Sequence, residues 1–511
     1  RYAWVFSTLI IYMAAETLVR IREIKRIHLS IPFLLLVTGF FLTFYFRDHY
    51  PYLEPIHFIL TVEFLLAYSI LLIGKIYKKI PFKIFSLLSL GFVLFEMGLH
   101  SHYQIEGLAA EWNFPSRSNY EDQLTEIDNL VKGTNSKNSY FYRTEKLDIQ
   151  TGNDSMKYNY YGISQFSSIR NRSSSSTLDK LGFRSDGTNL NLRYQNNTII
   201  ADSLFAVKYN LAESDPLKYG FSLYQTEVGL SSYKNEYATQ LAILTEGVYK
   251  DVKFTNLTLD NQTRFLNQIT GLEQTYFTKL YPLSVKNATE LNNRVTVQTP
   301  ENEDMPRVNY ELTVPADSQL YISIPNISFS NQDQEIVQIS VNNVSTNFTL
   351  DNTFSIFNIG YFEKGQNLNV VIRFPYNSQV SFDQPQFYHL DTRAYQAAMG
   401  IIKSQKVEVK TYQNMVEANY NATKESSLLF TLPYDKGWSA SLNGKPIKIR
   451  RAQHGFMKID VPKGQGTVVL TFVPQGFWTG LLSSLAGIIL FFLYSLFKQR
   501  RKLTLSRFKD T

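Results

Sequence analysis

Residues 477–502 read FWTGLLSSLAGIILFFLYSLFKQRRK, an apolar run that ends in a cluster of basic residues. The run carries no charged side chain before Lys498, and a helix of about 20 apolar residues is long enough to cross the hydrocarbon core of a bilayer. Lysines and arginines collect on the cytoplasmic side of membrane helices. The stretch therefore predicts a membrane-spanning helix over 477–497, followed by a basic cytoplasmic tail over 498–511.

Four more apolar runs of similar length lie near the N-terminus, at about 2–19, 30–46, 55–74 and 83–100. Basic residues separate the first run from the second and the third from the fourth, at 20–26 and 75–83. Placing both basic segments in the cytoplasm puts residues 101–476 outside, because each span crosses the membrane once. The predicted fold class is a membrane α-helical protein with five transmembrane helices, four of them within 1–100, that carries a large extracytoplasmic region.

The net charge of +7 follows from this topology and does not indicate nucleic-acid binding. The three segments placed in the cytoplasm hold 14 lysines and arginines and two acidic residues, which leaves about five negative charges for the rest of the chain. The chain has no cysteine, which excludes disulfides and thiolate metal sites. Secreted eukaryotic domains are often rich in disulfides, so the composition favours a bacterial cell membrane and surface.

The secondary-structure pattern of the extracytoplasmic region changes along the chain, and these changes predict three domains. Residues 101–290 mix helical and strand patterns, which indicates an α/β domain. Residues 291–405 show short strands separated by turn residues, a spacing typical of a β-sandwich. A second β unit is predicted over 406–476.

The clearest strand of that second unit is WSASL at 438–442. Trp438, Ala440 and Leu442 alternate with serines, so one face of the strand is expected to pack and the other to meet water. Asn443-Gly444 follows at once, and this pair suits the two positive φ angles of a type I′ turn. The sequence therefore predicts a hairpin here.

Two acidic residues lie at membrane depth. Glu16 falls within the first predicted span, near its inner end, and Glu96 within the fourth, near its outer end. Ionisable groups inside a membrane often face a helix bundle or a water-filled cavity and serve function. The alternative is that each side chain reaches out to the headgroups of its own leaflet.

Candidate carbohydrate contacts are Tyr434 and Trp438, which lie beside a turn and could stack on sugar rings. The alternative for Trp438 is a place in the core. The catalytic motifs based on a phosphate-binding glycine loop, on His-Glu-x-x-His or on Gly-x-Ser-x-Gly do not occur. No catalytic residue and no metal site are assigned in this chain.

Several short motifs together resemble one family. LFTLPYDKGW at 429–438, LNGK at 442–445 and FVPQG at 472–476 resemble the ending of the YfhO family, in which a "P-Y-x-x-G-W" strand leads to a "D-G-K" hairpin, "Y-x-P-x-G" and a last transmembrane helix. Asn443 and Phe472 depart from the family's Asp and Tyr but keep the hairpin and strand character. Agreement extends to three earlier motifs, at 1–4 (RYAW), 142–155 (YR…NDS) and 206–209 (AVKY).

The resemblance implies a polytopic, GT-C-like glycosyltransferase. Such enzymes take a sugar from an undecaprenyl-phosphate-linked donor outside the membrane and transfer it to a cell-envelope polymer, typically lipoteichoic acid. Their acidic residue, which activates the acceptor or holds a divalent cation, lies in a first outer loop. We expect that loop upstream of Arg1, which makes this chain the C-terminal portion of a longer enzyme.

The partners that the resemblance implies are a lipid-linked sugar donor, a cell-envelope glycopolymer and the lipid bilayer, without nucleic acid. Two other functions remain open on the sequence. One is a non-catalytic, membrane-anchored module that binds carbohydrate or has a structural role. The other is a flippase for lipid-linked sugars, which would require more polar groups within the spans than the sequence contains.

Overall fold

The computed structural model describes residues 3–20, 23–24, 26–49, 54–77, 79–111, 117–136, 140–148, 150–169, 171–185, 191–194, 197–299, 304–332, 335–342, 344–349 and 356–507. The chain divides into two compact units, the first ending at Glu121 and the second beginning at Asp122. Each unit is described by itself below.

The first unit is helical. Its helices are α1 (Ala3–Val19), α2 (Arg26–Tyr45), α3 (Pro55–Ile76), α4 (Phe82–Glu111) and α5 (Arg117–Glu121). Pro55 stands at the first position of α3, where its missing N–H costs no hydrogen bond. Most apolar side chains of these helices are exposed in the isolated chain, as expected for surfaces that face lipid.

Three of the five predicted spans are confirmed by length and composition. Within the described residues, Pro55–Ile76, Phe82–Ala109 and Phe477–Lys498 are long and apolar enough to cross a membrane. The apolar parts of α1 and α2, Trp4–Val19 and Ser30–Tyr45, are shorter, and 16 helical residues span only about 24 Å of the roughly 30 Å core. Five transmembrane helices therefore stay a prediction. The basic residues Arg22, Lys25 and Lys78, on which the predicted sidedness partly depends, lie outside the described residues.

The second unit begins with an α/β region. Its elements are α6 (Leu124–Asn135), β1 (Arg143–Lys146), α7 (Asp154–Lys157), β2 (Gln165–Phe166), α8 (Arg172–Asp179), β3 (Arg184–Ser185), β4 (Asn191–Arg193), α9 (Ile199–Leu204), β5 (Val207–Ala212), β6 (Phe221–Glu227), β7 (Leu230–Asn235), β8 (Ala242–Leu244) and α10 (Thr258–Thr270). One sheet has the order β1-β5-β7-β6, with β1 and β5 parallel, and another the order β2-β4-β3.

A charged pair lies at the centre of this region. The Lys218 ammonium contacts the Asp202 carboxylate at 2.7 Å, and both side chains are fully buried. The Tyr194 hydroxyl donates to Asp202 at 2.5 Å, and Lys218 also contacts Asn210 at 3.2 Å. Burying charges without such partners is costly, so the cluster fixes the arrangement of α9 and β5.

The β-rich part that follows has regular alternation. Its strands are β9 (Phe277–Leu280), β10 (Ser284–Lys286), β11 (Thr289–Leu291), β12 (Arg294–Gln298), β13 (Arg307–Thr313), β14 (Ser318–Ser323), β15 (Ser328–Phe329), β16 (Ile336–Val341), β17 (Val344–Thr349), β18 (Ile356–Phe362), β19 (Asn367–Arg373), β20 (Gln379–Asp383) and β21 (Gln386–Asp391). The sheets run β10-β13-β19-β16-β17, β11-β12-β20-β15 and β18-β14-β21-β9. Along β13, Val308, Tyr310 and Leu312 are buried and enter one shared core. Helix α11 (Thr392–Ser404) follows, capped by the Asp391 carboxylate, which accepts from two backbone N–H groups.

The C-terminal β unit contains β22 (Val407–Tyr412), β23 (Met415–Ala422), β24 (Ser426–Pro433), β25 (Trp438–Leu442), β26 (Lys445–Ile447), β27 (Arg450–Ala452), β28 (Phe456–Val461) and β29 (Gly464–Phe472), and α12 (Phe477–Arg507) leaves from its end. One sheet has the order β22-β23-β29-β25-β26. The other, β27-β28-β24-β8, takes its edge strand from the α/β region. The predicted domain boundaries themselves stay a prediction.

The predicted hairpin is confirmed. Strands β25 and β26 pair antiparallel, with Leu442 opposite Lys445. Between them Asn443 has φ +50° and Gly444 φ +79°, the positive values that a type I′ turn needs. Trp438, Ala440 and Leu442 pack against the core of the C-terminal β unit, as the alternation predicts.

Candidate functional site

A cleft of about 500 Å³ opens between the α/β region and the C-terminal β unit. On one side its wall includes Phe141, Tyr161 and Gln165. On the other it is formed by the turn between β22 and β23, by the end of β24, and by the rings of Trp438 and Phe472. Ligand pockets of this size are ordinary for small molecules.

Trp438 lies both against the core of the C-terminal β unit and in the wall of the cleft. Its side chain is half-buried and packs on the core of the C-terminal β unit, and its ring lies 5.0 Å from that of Phe472. The same residue lines the cleft. Packing thus holds the indole in place while part of it faces the open space, an arrangement that suits stacking against a ligand.

Tyr434 is placed differently. It lies in the loop that leads to Trp438 and is not among the described residues that line the cleft. The Arg451 guanidinium lies over its ring, 4.7 Å from the centroid. Its carbonyl oxygen accepts a hydrogen bond from the Asn171 side chain at 2.8 Å. Of the two predicted carbohydrate contacts, Trp438 alone is among the described residues that line this cleft, and a role for either in binding stays a prediction.

Two exposed tyrosines line the cleft that were not among the carbohydrate contacts predicted from the sequence. Tyr161 is 62% exposed and Tyr412 53% exposed, and both line the cleft. The Tyr161 ring lies 4.9 Å from that of Phe141. Tyr412 ends strand β22 beside the Gln413-Asn414 turn. An aromatic residue next to a turn was the signal that selected Trp438, and the same signal could have found Tyr412.

Arg143 forms part of the wall, and its guanidinium donates three hydrogen bonds to protein oxygens. Its guanidinium donates to the Phe205 carbonyl at 2.7 Å, to the Thr431 hydroxyl at 3.1 Å and to the Thr431 carbonyl at 2.9 Å. Burial lowers the pKa of Arg143 to about 10, so the group stays charged at neutral pH. Its hydrogen bonds join β1 to β24, which gives it an architectural role at the junction of the two regions.

Glu145 supports the same wall from behind. Its carboxylate accepts hydrogen bonds from the backbone N–H of Ile163, from the backbone N–H of Ser164 at 3.2 Å and from the Ser164 hydroxyl at 2.9 Å. Ile163 and Gly162 line the cleft. Burial raises the pKa of Glu145 to about 7. The side chain positions this segment and has no place among the lining residues.

The two acidic residues at membrane depth differ in their surroundings. Glu16 is exposed on α1 and pairs with Arg20, one turn further on, at 2.8 Å. Glu96 accepts a hydrogen bond from the Tyr68 hydroxyl at 2.6 Å, which joins α4 to α3. A functional role for either stays a prediction. Within the described ranges of the chain, no three His, Asp or Glu side chains are grouped so that they could hold a metal ion.

The solved structures that match this chain resemble it only weakly. A family two carbohydrate esterase from Cellvibrio japonicus matches with a TM-score of 0.15 at 15% identity, over 23% of this chain and 31% of that one. The arabinofuranosyltransferase AftD from Mycobacteria matches with a TM-score of 0.13 at 8% identity, over 52% of this chain and 29% of that one. Scores this low carry no argument about fold or function.

Sequence comparisons are decisive for the family. The family model described as "Bacterial membrane protein YfhO" matches residues 1–484. The protein described as "Uncharacterized protein YfhO" from Bacillus subtilis (strain 168) is 23% identical over 384 residues, which cover 68% of this chain and 43% of that relative. The chain thus spans less than half the length of the curated relative that it matches. With a family match over nearly all of its length, and with apolar helices at both ends, the chain belongs to the YfhO family of bacterial membrane proteins.

Proposed function

We propose that this chain is the C-terminal part of a membrane glycosyltransferase. The enzyme transfers a sugar from an undecaprenyl-phosphate-linked donor, on the outer side of the membrane, to a cell-envelope polymer such as lipoteichoic acid. Family membership supports a membrane enzyme of this kind. The observation that carries the role of this chain is the cleft between the α/β region and the C-terminal β unit, with Trp438 in its wall.

The chemistry of the cleft suits a saccharide. Aromatic rings offer flat apolar faces for the C–H bonds of a sugar, and here Tyr161, Tyr412 and Trp438 supply them. The side chains of Gln165 and Asn414 add amide donors and acceptors for hydroxyl groups. A few polar groups among apolar walls are what fixes a small ligand in its orientation.

We assign no catalytic residue to the chain. Transfer to a hydroxyl group needs a general base or a metal ion next to the acceptor, and the described lining of the cleft includes no Asp, Glu or His. We place the acidic residue, and any divalent cation, in the part of the longer family members that the match to this chain does not cover. The cleft then holds or orients the acceptor for a reaction at that second site.

The proposed topology puts residues 101–476 outside the membrane and the C-terminus in the cytoplasm. Basic residues after the last span support this orientation. At the other end of α12, Phe477 and Trp478 lie where an outer interface would be, and aromatic residues are enriched at such interfaces.

A second candidate is a non-catalytic, membrane-anchored module that binds carbohydrate or has a structural role. The absence of acidic side chains from the described lining of the cleft favours it. The two functions differ in one respect, because only the transferase consumes the lipid-linked donor.

The test compares strains that lack the complete gene with strains that carry it. Loss of the sugar substituent from lipoteichoic acid, measured by NMR on the purified polymer, and its return on complementation support the transferase. An unchanged polymer contradicts it. Turnover of an undecaprenyl-phosphate-linked sugar by the purified full-length protein then separates the transferase from the binding module.

A further inference from the structure

The mouth of the cleft is tied to the start of the last membrane helix. Phe472, which lines the cleft, ends strand β29, and α12 begins five residues later at Phe477. Consecutive Cα atoms are 3.8 Å apart, so the two residues cannot be separated by more than about 19 Å. The Phe477 N–H donates to the Pro474 carbonyl at 3.2 Å, which folds the link into a turn and shortens it further.

This end of the cleft is also fastened from both sides. The Phe472 N–H donates to the Asn414 carbonyl at 2.9 Å, and the Val473 N–H donates to the Gly437 carbonyl at 3.0 Å. A Cβ atom at Gly437 would lie 2.5 Å from the Val473 carbonyl oxygen, so only glycine allows this approach. The turn at Asn414, the loop before Trp438 and the link to α12 therefore form one connected rim.

In the proposed topology, the beginning of α12 lies at the outer surface of the membrane. Phe477 and Trp478 are 50% and 62% exposed, and aromatic side chains at the ends of a membrane helix lie among the headgroups. The headgroup layer is about 5–7 Å thick on each side. The rim of the cleft at Phe472 is therefore within about 19 Å of this level.

The part of the cleft lining that the structure describes is nearly without charge. Among the described residues that line it, Arg143 is the one that carries a formal charge, and its guanidinium is bound to Phe205 and Thr431. A phosphate or carboxylate bound there would need a free cation or several donors to offset its desolvation. The aromatic rings and neutral amides favour a sugar without charge.

We propose that the cleft binds an uncharged sugar unit carried on a membrane lipid. The inference deepens the proposed function and rests on it only for the identity of the ligand as a cell-envelope sugar. It names the part of the acceptor that is held, which is the neutral saccharide next to the lipid, and excludes a phosphate-bearing repeat from this cleft.

The test uses the full-length protein in nanodiscs that contain a diglucosyl diacylglycerol with a photoreactive diazirine on its sugar. Mass spectrometry after irradiation is expected to find the label on the peptides that hold Tyr412 to Asn414 and Trp438. Unlabelled diglucosyl diacylglycerol should compete, and phosphatidylglycerol should not. Competition by phosphatidylglycerol, or labelling spread evenly over the outer surface, overturns the proposal.

Variants make the result specific. Trp438→Ala and Tyr412→Ala are each expected to reduce labelling about fivefold, because each removes one stacking face. Tyr281→Ala is the matched control, since Tyr281 is 77% exposed and lies outside the cleft, and it should leave labelling unchanged. If loss of core contacts prevents Trp438→Ala from folding, the labelling of Tyr412→Ala alone tests the proposal. Unchanged labelling in Tyr412→Ala then overturns the proposal.

Two further measurements separate the ways in which the proposal can fail. A soluble glucose disaccharide with the same diazirine tests whether the lipid matters, and equal labelling at equal concentration overturns the membrane-linked part. Labelling of the cleft without sugar transfer by the same protein overturns the proposed function alone. Full transfer in a variant that has lost labelling overturns the cleft inference alone.

Discussion

Trp438 and Phe472 are direct partners across strands β25 and β29, and their ring centroids lie 5.0 Å apart with an angle of 50° between the planes. One residue begins the hairpin that the sequence predicts, and the other ends the strand that leads into the last membrane helix. This contact couples the wall of the cleft to the membrane anchor.

We expect a double-mutant cycle of Trp438→Ala and Phe472→Ala to give a coupling of about 1 kcal/mol, the usual size for an aromatic pair. Each single change should lower stability by about 2 kcal/mol, because the side chains are only half-buried. Urea-induced unfolding of the protein in detergent measures both quantities. Strictly additive effects would show that the rings do not stabilise one another.

The stability contribution of Glu145 is expected to depend on pH. Its pKa is raised by burial from an ordinary 4.5 to about 7, so the folded protein holds a proton there that the unfolded chain releases. The stabilisation is therefore complete below about 4.5 and is lost as the pH rises to about 7. Glu145→Gln, which cannot ionise, should gain up to about 3 kcal/mol relative to the parent protein between pH 5 and pH 8.

Thermal unfolding at several pH values measures this difference. The exposed residue Glu408 provides the matched control, since Glu408→Gln makes the same chemical change on the surface. Parallel curves for Glu145→Gln and the parent protein would contradict the assignment of Glu145 as a group that titrates near neutrality.

Removing one partner of the buried pair Lys218–Asp202 should be strongly destabilising. Lys218→Met leaves the Asp202 carboxylate buried without its cation, which costs about 3–5 kcal/mol. Adding Asp202→Asn removes the unpaired charge and should restore part of the loss. Chemical denaturation of the single and double variants measures these stabilities. A double variant that is less stable than Lys218→Met would contradict the prediction.

The absence of cysteine makes the proposed topology directly measurable. Lys445→Cys, on the edge strand β26, should react with a membrane-impermeant maleimide in intact cells. Thr504→Cys, in the basic tail, should react only after the membrane is permeabilised. The parent chain, whose 511 residues include no cysteine, serves as the blank. The opposite pattern of labelling would reverse the orientation of α12.

Local sequence predicts the C-terminal hairpin well because its determinants are neighbours. Alternation places Trp438 inward, and Asn443-Gly444 supplies the turn. The apolar runs at 55–74, 83–100 and 477–497 are equally local, and helices long enough to span a membrane occur at all three places.

The residues that line the cleft come from distant parts of the sequence, so local sequence patterns could not predict it. Tyr161 and Tyr412 lie far apart in the chain and line the same cleft only because the α/β region packs against the C-terminal β unit. The pairing of β8 with β24 likewise joins Ala242–Leu244 to residues near 430. Neither periodicity nor turn chemistry carries information about which distant segments meet.

Strand β8 has a consequence for the biosynthesis of the protein. Its partner β24 is translated long after it, so a growing chain exposes the apolar strand Ala242–Leu244 with an unpaired edge, and such edges promote aggregation. In the proposed topology, the edge is covered only after the C-terminal β unit has crossed the membrane and folded. Helix α12 is translated after all strands of this unit, so in the same topology a chain anchored by α12 already carries both β8 and β24. A chain truncated before β24 should therefore become a substrate of envelope proteases.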